Sequence, residues 1–381
     1  MRGPGRTGRG TVRGVKIRRI GYATLFLLGS LIAACGDTPA ARPEPNHPQP
    51  VTQASASPSA ASVAPATTTA PAASSAAPLS MFDRQLKSLH DYVTAFNRHD
   101  AAAIGALYDE DAVFMERGEF TSIGGAITDN YQRHFEAFPD CTTAITRSWH
   151  KGDLVVFEYA EGGTDTGPHR SHKPTGKKVG YVGASILQFN AKGLVKKDST
   201  YYDELTMEVQ AGWAKAQHAK LEVRPVSPVS PATSTWEVHQ VPSIDGDQPK
   251  LLALGKSLSS SFQTRSEKDY LAALSDDIVL ARYDEPKDAV GKADVARLFN
   301  SRLKVFSASA VNAEEGWTVD GYVVIVGTLS GTQVGAWGPL KATNKSFKSH
   351  FLDIARVSKT DKVERVWTYA NNYEVLRDLG Y

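Results

Sequence analysis

Two stretches of this 381-residue chain match each other in register, so the chain must use one fold twice. Ala95-Phe96-Asn97-Arg98-His99-Asp100 and the following Ile104 to Val113 align without gaps on Ser261-Phe262-Gln263-Thr264-Arg265-Ser266 and Tyr270 to Val279. In both copies an amphipathic helix ends there and a second short helix begins. Phe82, Leu86, Leu89, Val93 and Phe96 fall at helical spacing, and Asp100 or Ser266 is placed to cap the next helix. Asp111-Ala112-Val113-Phe114 and Asp277-Ile278-Val279-Leu280 read as a first strand, and Gly125 and Gly291 each precede a third helix. Further on, Gly152-Asp153 and Asp320-Gly321 are hairpin signals that each lead into an apolar strand. Gly163 to Gly167 faces Gly331 to Gly335, and Thr200-Tyr201-Tyr202-Asp203 faces Thr368-Tyr369-Ala370-Asn371. The Pro-rich stretch Val223 to Pro242 separates the copies.

What precedes the repeats has a different character. The first nineteen residues hold Arg2, Arg6, Arg9, Arg13, Lys16, Arg18 and Arg19 and no acid, and Ile20 to Ala34 is apolar and ends in small residues. This is the layout of a secretory signal, and the run is too short and too broken by Gly and Ser for a spanning helix of roughly 20 apolar residues. Ile32-Ala33-Ala34-Cys35 resembles the bacterial lipobox, which implies lipidation of Cys35 and anchoring to a membrane by several acyl chains. Gly36, not Asp, follows the cysteine, which favours the outer membrane over the inner one. Residues 36–80 are almost all Ala, Pro, Ser and Thr, a composition that cannot bury enough apolar surface to offset its ordering entropy. The expected organisation is a signal peptide at 1–34, a lipidated tether at 35–80, domain 1 at 81–220, a linker at 221–244 and domain 2 at 245–381.

Cleavage also changes the charge argument. The full chain carries 43 basic and 41 acidic residues, and loss of the seven basic leader residues leaves 36 against 41, a net of −5. That excludes the basic surface of a nucleic-acid binder. Of two cysteines, one is assigned to the lipid and Cys141 is left alone, so neither a disulfide framework nor a cysteine metal site can form.

The element order, with the His99-Asp100 step after the first helix, resembles the SnoaL-like polyketide cyclase group of the nuclear-transport-factor-2-like superfamily. In repeat one the likeness includes Phe138-Pro139-Asp140, Gly163 to Gly167, Pro174-Thr175-Gly176-Lys177 and the closing Tyr202-Asp203 through Gln210-Ala211-Gly212, about residues 81–215. Repeat two, about 245–381, resembles the superfamily rather than the cyclase subgroup. The resemblance implies an α+β fold of two tandem cones, each a strongly curved antiparallel sheet wrapped on about three helices around one pocket. Helices leading into runs of strands support α+β independently.

The resemblance also implies a chemistry. Cyclases of this group close a ring by intramolecular aldol reaction without a cofactor, using an aspartate held in an apolar cavity so that its pKa rises. At that aspartate's place repeat one has Ser185 and repeat two has Asp353; where the family often carries a histidine, this chain has Asp165, with His169 and His172 just beyond. Asp165 and Asp203 fall on strands expected to line the cone, near Tyr159, Tyr181 and Tyr202, while repeat two carries Gln333 and Asn371 in their places. These acids either do acid/base work, with repeat two a binding copy, or cap backbone groups at strand ends. Trp149, Trp317, Phe114 and Phe157 read as core or as the aromatic wall of a pocket. His90 lies beside the core face of the first helix, and the Gly/Pro-rich segment bearing His169 and His172 reads as a solvated loop rather than a metal site.

Three classes of function fit: a lipoprotein binding a small apolar or carbonyl compound, a cofactor-independent cyclase or isomerase acting in repeat one, and a structural module in which the cones pair within the chain or as a homodimer. No cofactor, metal or nucleic acid is implied.

Overall fold

A computed structural model describes residues 79–116, 119–227, 229, 235–241 and 248–381. The basic head, the apolar run, Cys35 and all but the end of the tether lie outside the described residues. No helix among the described residues is long and apolar enough to cross a membrane.

Domain 1 opens with α1 (Met81–Asn97) and α2 (Ala101–Gly105), followed by β1 (Tyr108–Glu116), β2 (Glu119–Ile123) and α3 (Ala126–Ala137). The long strands β3 (Thr142–Lys151), β4 (Leu154–Thr164), β5 (Lys178–Phe189) and β6 (Val195–Tyr201) follow, and α4 (Glu204–Ala211) closes the unit. The linker contributes β7 (Glu237–Gln240). Domain 2 repeats the order with α5 (Pro249–Thr264), α6 (Glu267–Ala272), β8 (Leu274–Arg282), β9 (Ala289–Val290), α7 (Gly291–Val305), β10 (Phe306–Val319), β11 (Tyr322–Gln333), β12 (Ser346–Val357), β13 (Val363–Ala370) and α8 (Asn372–Leu379).

The two curled sheets have the same connectivity. Their orders are β2-β1-β6-β5-β4-β3-β7 and β10-β11-β12-β13-β8-β9, so β7 is the one strand without a counterpart among the described residues. The sheets are antiparallel within the long strands, but β1 runs parallel to β6 and β8 parallel to β13. A first strand joined to a last strand across the whole domain is what closes each sheet around its helices. The expected caps are made: the Asp100 carboxylate accepts from the Ala103 N–H at 2.9 Å, and the Ser266 hydroxyl from the Asp269 N–H at 3.3 Å. Each satisfies an otherwise unpaired donor in a first helical turn.

Strand alternation divides the apolar residues between two faces. In domain 1 the concave face and the helices enclose Phe96, Ile104, Ile127, Phe135, Phe138 and Phe157; in domain 2 they enclose Tyr270, Ile278, Val295, Phe299, Val323 and Phe351. The opposite faces of the two sheets share a third core, in which Trp149, Val156, Ala184 and Tyr201 of domain 1 meet Trp317, Tyr322, Leu352, Trp367 and Tyr369 of domain 2. Trp149, expected at a pocket, therefore stands outside both lumens: it is 1% exposed, with its ring centroid 5.6 Å from that of Tyr322. His90, by contrast, is exposed, and it packs on Trp236 at 4.4 Å.

Polar groups fix the register of this shared core. The buried Glu158 carboxylate accepts from Thr146 and Arg147 of domain 1 and from the Tyr283 and Tyr369 hydroxyls of domain 2. The last helices are capped reciprocally. Asp203 Oδ2 accepts from the Thr206 N–H at 3.1 Å while its Oδ1 accepts from the Asn372 N–H of domain 2 at 2.9 Å. Asn371 Oδ1 accepts from the Tyr373 N–H at 3.0 Å and from the Glu204 N–H of domain 1 at 3.1 Å.

Candidate functional site

Domain 1 encloses a cavity of about 600 Å³; the largest described in domain 2 is about 90 Å³. The strand register explains the difference in character. Side chains at every second position of β4 and β5 point inward, which brings Tyr159, Glu161, Tyr181 and Ser185 to the domain 1 lumen, with Thr200 and Tyr202 from the end of β6. Helices add Tyr92 and Phe96 from α1 and Tyr131 and His134 from α3. At the equivalent places of domain 2 stand Leu258 for Tyr92, Phe299 for Tyr131, Gly327 for Tyr159, Leu329 for Glu161, Ser349 for Tyr181 and Ala370 for Tyr202. Five phenols and a carboxylate are thus particular to the first lumen.

Its polar groups form two sets. On one wall the Tyr181 hydroxyl donates to Glu161 Oε1 at 2.7 Å, and His134 Nε2 lies 3.0 Å from the same oxygen as an ion pair, off line for a hydrogen bond. Burial opposes a charge on His134, but the Glu161 carboxylate outweighs it, with Cys141 adding, and the imidazole is pushed up to about 10. It is therefore an imidazolium at neutral pH, and Glu161 is its counter-ion. Nearer the mouth, Tyr202 donates to Glu116 at 3.3 Å and Arg170 pairs with Glu204 at 2.8 Å.

The second set lies at the floor. Asp198 is 3% exposed and its Oδ2 accepts from the Tyr108 hydroxyl at 2.6 Å; its Oδ1 is buried without a hydrogen-bond partner. Burial, reinforced by Glu116 and opposed by bonds from Tyr108 and Ser185, pushes its carboxyl up to about 7.

Of the residues singled out from sequence, Tyr159, Tyr181, Ser185 and Tyr202 line the domain 1 lumen. Asp165 does not. Its Oδ2 accepts from the Thr175 N–H at 2.9 Å, the Thr175 hydroxyl at 2.7 Å and the Trp213 indole N–H at 3.1 Å, which pins the loop between β4 and β5. Gln333 repeats this role in domain 2: its Oε1 accepts from the Thr343 N–H and hydroxyl and from the Tyr381 hydroxyl. The acid and the amide are interchangeable there because only one acceptor oxygen is used. His169 and His172 do not surround a metal position with Asp165; both stack on Trp213, with ring centroids 4.7 and 5.1 Å away. Among the described residues no group of three or more His, Cys, Asp or Glu is arranged to hold a metal ion. Asp203 is a helix cap between the domains rather than a lumen group, and burial pushes it up to about 7. Asn371 caps α8 and also borders the small domain 2 cavity with Asp353, Arg282, Asp284 and Arg302. Burial raises Asp353 to about 6 despite a hydrogen bond from Thr368 and the nearby Arg282. Asp284 is held below the usual carboxylate range, because Arg282 and Arg302 outweigh its burial.

Residues 89–197 match the family model described as SnoaL-like domain, and residues 256–379 match that described as SnoaL-like polyketide cyclase. The cyclase model thus falls on the second repeat, which keeps an aspartate at the family's position, although the motifs apportioned from sequence put the cyclase likeness on the first. Solved structures similar to one domain of the chain include TsrD from Streptomyces laurentii (15% identity, 35% of this chain and 97% of that one, TM-score 0.32). An NTF2-like protein from Burkholderia xenovorans is 18% identical over 35% of this chain and 97% of its own, with TM-score 0.29. A LEH-like epoxide hydrolase from M. tuberculosis is 14% identical over 34% and 90%, with TM-score 0.29. No curated protein matches the chain significantly.

Proposed function

Because the chain carries two SnoaL-like domains in tandem, one hollow and one nearly filled, we propose that it is a ligand-binding protein anchored outside the cytoplasm through a lipid on Cys35. The outer membrane is the proposed site of anchoring. The first domain takes a small, largely apolar ring compound that bears carbonyl or hydroxyl oxygen, and the second serves as its partner within a pseudo-dimer. The observation that carries this reading is the contrast between about 600 Å³ in one lumen and about 90 Å³ in the other. Ligand cavities typically run from roughly 300 to 1,000 Å³, apolar or aromatic with a few placed polar groups. The phenyl faces of Tyr92, Tyr131, Tyr159, Tyr181 and Tyr202 suit a flat ring, and the His134–Glu161–Tyr181 line supplies charge-assisted donors for its oxygens.

Native mass spectrometry of the chain purified from its own envelope tests both parts. A mature terminus carrying acyl mass on Cys35 and one retained small molecule per chain is the expected result. A chain with an intact leader would remove the anchor, and a chain that emerges empty would remove the binding role. One observation favours a second reading, a cofactor-independent isomerase or cyclase in domain 1: an imidazolium paired with a buried carboxylate on a lumen wall is equipped to polarise a carbonyl. Turnover of a carbonyl ligand recovered in that experiment would establish it.

A further inference from the structure

Pro168, His169 and Arg170, from the loop between β4 and β5, line the domain 1 lumen. The tip of that loop is a two-residue turn: His169 and His172 form an antiparallel bridge, and the His172 N–H donates to the His169 carbonyl at 2.9 Å. Domain 2 builds the same turn from Trp337-Gly338-Pro339-Leu340, bridged between Trp337 and Leu340. The first central residue takes a left-handed φ in both copies, +54° at Gly338 and +52° at Arg170. That place in a turn favours Gly, Asn and Asp, because a larger side chain crowds the backbone there. Domain 1 therefore keeps an arginine where the other copy uses the unstrained residue, and the loop holds it in place. The Thr166 and Gly167 N–H groups donate to the Ala137 carbonyl, Asp165 ties the loop to Thr175 and Trp213, and both histidines stack on Trp213. Strain that the surroundings maintain at a lumen-lining residue points to a use for its side chain.

We propose that Arg170 is the specificity-determining residue of the domain 1 lumen, selecting an uncharged aromatic ligand by a guanidinium hydrogen bond to a carbonyl oxygen on its ring. The inference rests on the binding role given to this lumen above. Among the described residues the Arg170 side chain makes one hydrogen bond, from Nη1 to the buried Glu204 Oε1 at 2.8 Å. A guanidinium holds five N–H groups in a fixed fork and accepts nothing, so its Nε–Nη2 edge is left for an acceptor. The side chain is 55% exposed, which keeps that edge within reach of an entering molecule. The charges decide which acceptor fits. Arg133, His134 and Arg170 line the lumen against Glu116, Glu136 and Glu161, and Glu204 adds a carboxylate behind Arg170. A carboxylate ligand would add a negative charge to a set with no positive excess. A carbonyl gains a charge-assisted bond without that penalty. Gly338 offers no such donor in domain 2, whose small cavity it does not border.

The test measures, by calorimetry on the full chain, affinities for probes of matched shape: 1-acetonaphthone, 1-isopropylnaphthalene, which lacks the acceptor, and 1-naphthoate, which is charged. The wild-type chain should bind the ketone about tenfold or more tighter than either of the others, the factor expected of a hydrogen bond from a charged donor. Arg170→Gly, which gives the turn the residue its counterpart has, should lose that preference for the ketone and bind the hydrocarbon as before. Glu204→Gln removes the ion pair and keeps the guanidinium, so the preference should persist. An equal loss for ketone and hydrocarbon in Arg170→Gly, or a preference lost alike in both variants, makes Arg170 a structural partner of Glu204; it overturns the selection and leaves the binding role standing. Naphthoate bound more tightly than the ketone overturns the uncharged class. Failure of all three probes to bind overturns the selection and the binding role together. Should Arg170→Gly fold poorly, Arg170→Asn, also suited to a left-handed turn and without the guanidinium, takes its place.

Discussion

Replacing Asp203 by Asn, the residue its partner cap Asn371 already is, should reverse its effect on stability between acid and neutral pH. Raising this buried carboxyl from 3.8 to about 7 makes ionisation about 4 kcal/mol less favourable in the folded chain than in the unfolded one, at ~1.4 kcal/mol per pH unit. A raised acid contributes stability that is full below its unfolded value and is lost as pH climbs through the folded one. Asn has no proton to lose, so the variant escapes that loss. It pays a fixed cost instead, because Asp203 uses both oxygens, one toward Thr206 and one toward Asn372, whereas an amide offers one acceptor and turns an N–H toward a donor. That mismatch costs ~1–3 kcal/mol. The variant should therefore be less stable than wild type by about 1–3 kcal/mol near about pH 4 and more stable by a similar margin near about pH 8, from the same two terms. Urea midpoints of both proteins at the two pH values, converted with their slopes, measure the swing. A difference that stays within about 1 kcal/mol across that range would refute the assignment of a raised pKa to this cap.

Other substitutions probe the lumen wall and the seam between the sheets. His134→Gln strips Glu161 of its counter-ion and should cost ~3–5 kcal/mol near neutral pH. Because the imidazole is raised from 6.5 to about 10, its contribution is complete below 6.5 and disappears as pH rises through about 10, so thermal melts of variant and wild type should converge there. Across the seam, Glu158→Gln and Tyr369→Phe should show a coupling of ~1.5–3 kcal/mol in a double-mutant cycle by urea unfolding, since a bond to a charged acceptor joins them. Strictly additive losses would mean that the carboxylate does not bind the second domain.

The repeat made the architecture legible, because the helix-to-strand order and the caps at Asp100 and Ser266 are local features that recur in both copies. The site was harder to read. Tyr159, Tyr181, Ser185 and Tyr202 came out of sequence because they sit beside recognisable motifs, and the same proximity drew attention to Asp165 and Asp203. Those two acids face Gln333 and Asn371, a pattern that suits loss of chemistry and equally suits a conserved hydrogen-bond shape. Only the positions of Thr175, Trp213, Thr206 and Asn372 decide for the second. Trp149 was misplaced because a strand covered on both faces carries apolar residues on each, so hydrophobicity alone does not tell inside from outside. Asp198 was missed in Lys196-Lys197-Asp198-Ser199, which looks like a solvated strand. Counting alternate positions back from Tyr202 through Thr200 would have placed it on the inner face. Glu161 could have been found by the same count from Tyr159, and His134 by helical spacing from Tyr131.

The reciprocal caps have a consequence for how such a chain can change over generations. Each final helix begins on an oxygen supplied partly by the other half, so neither half can be excised or exchanged without exposing the start of its neighbour's helix. A homodimer of such a unit must keep both halves alike, because one gene encodes both. Once fused and locked at this seam, the halves are inherited together yet vary separately: one can fill its interior while the other specialises. Tyr in one copy against Leu, Phe, Gly, Ser and Ala in the other is the trace of that freedom, written into the interiors.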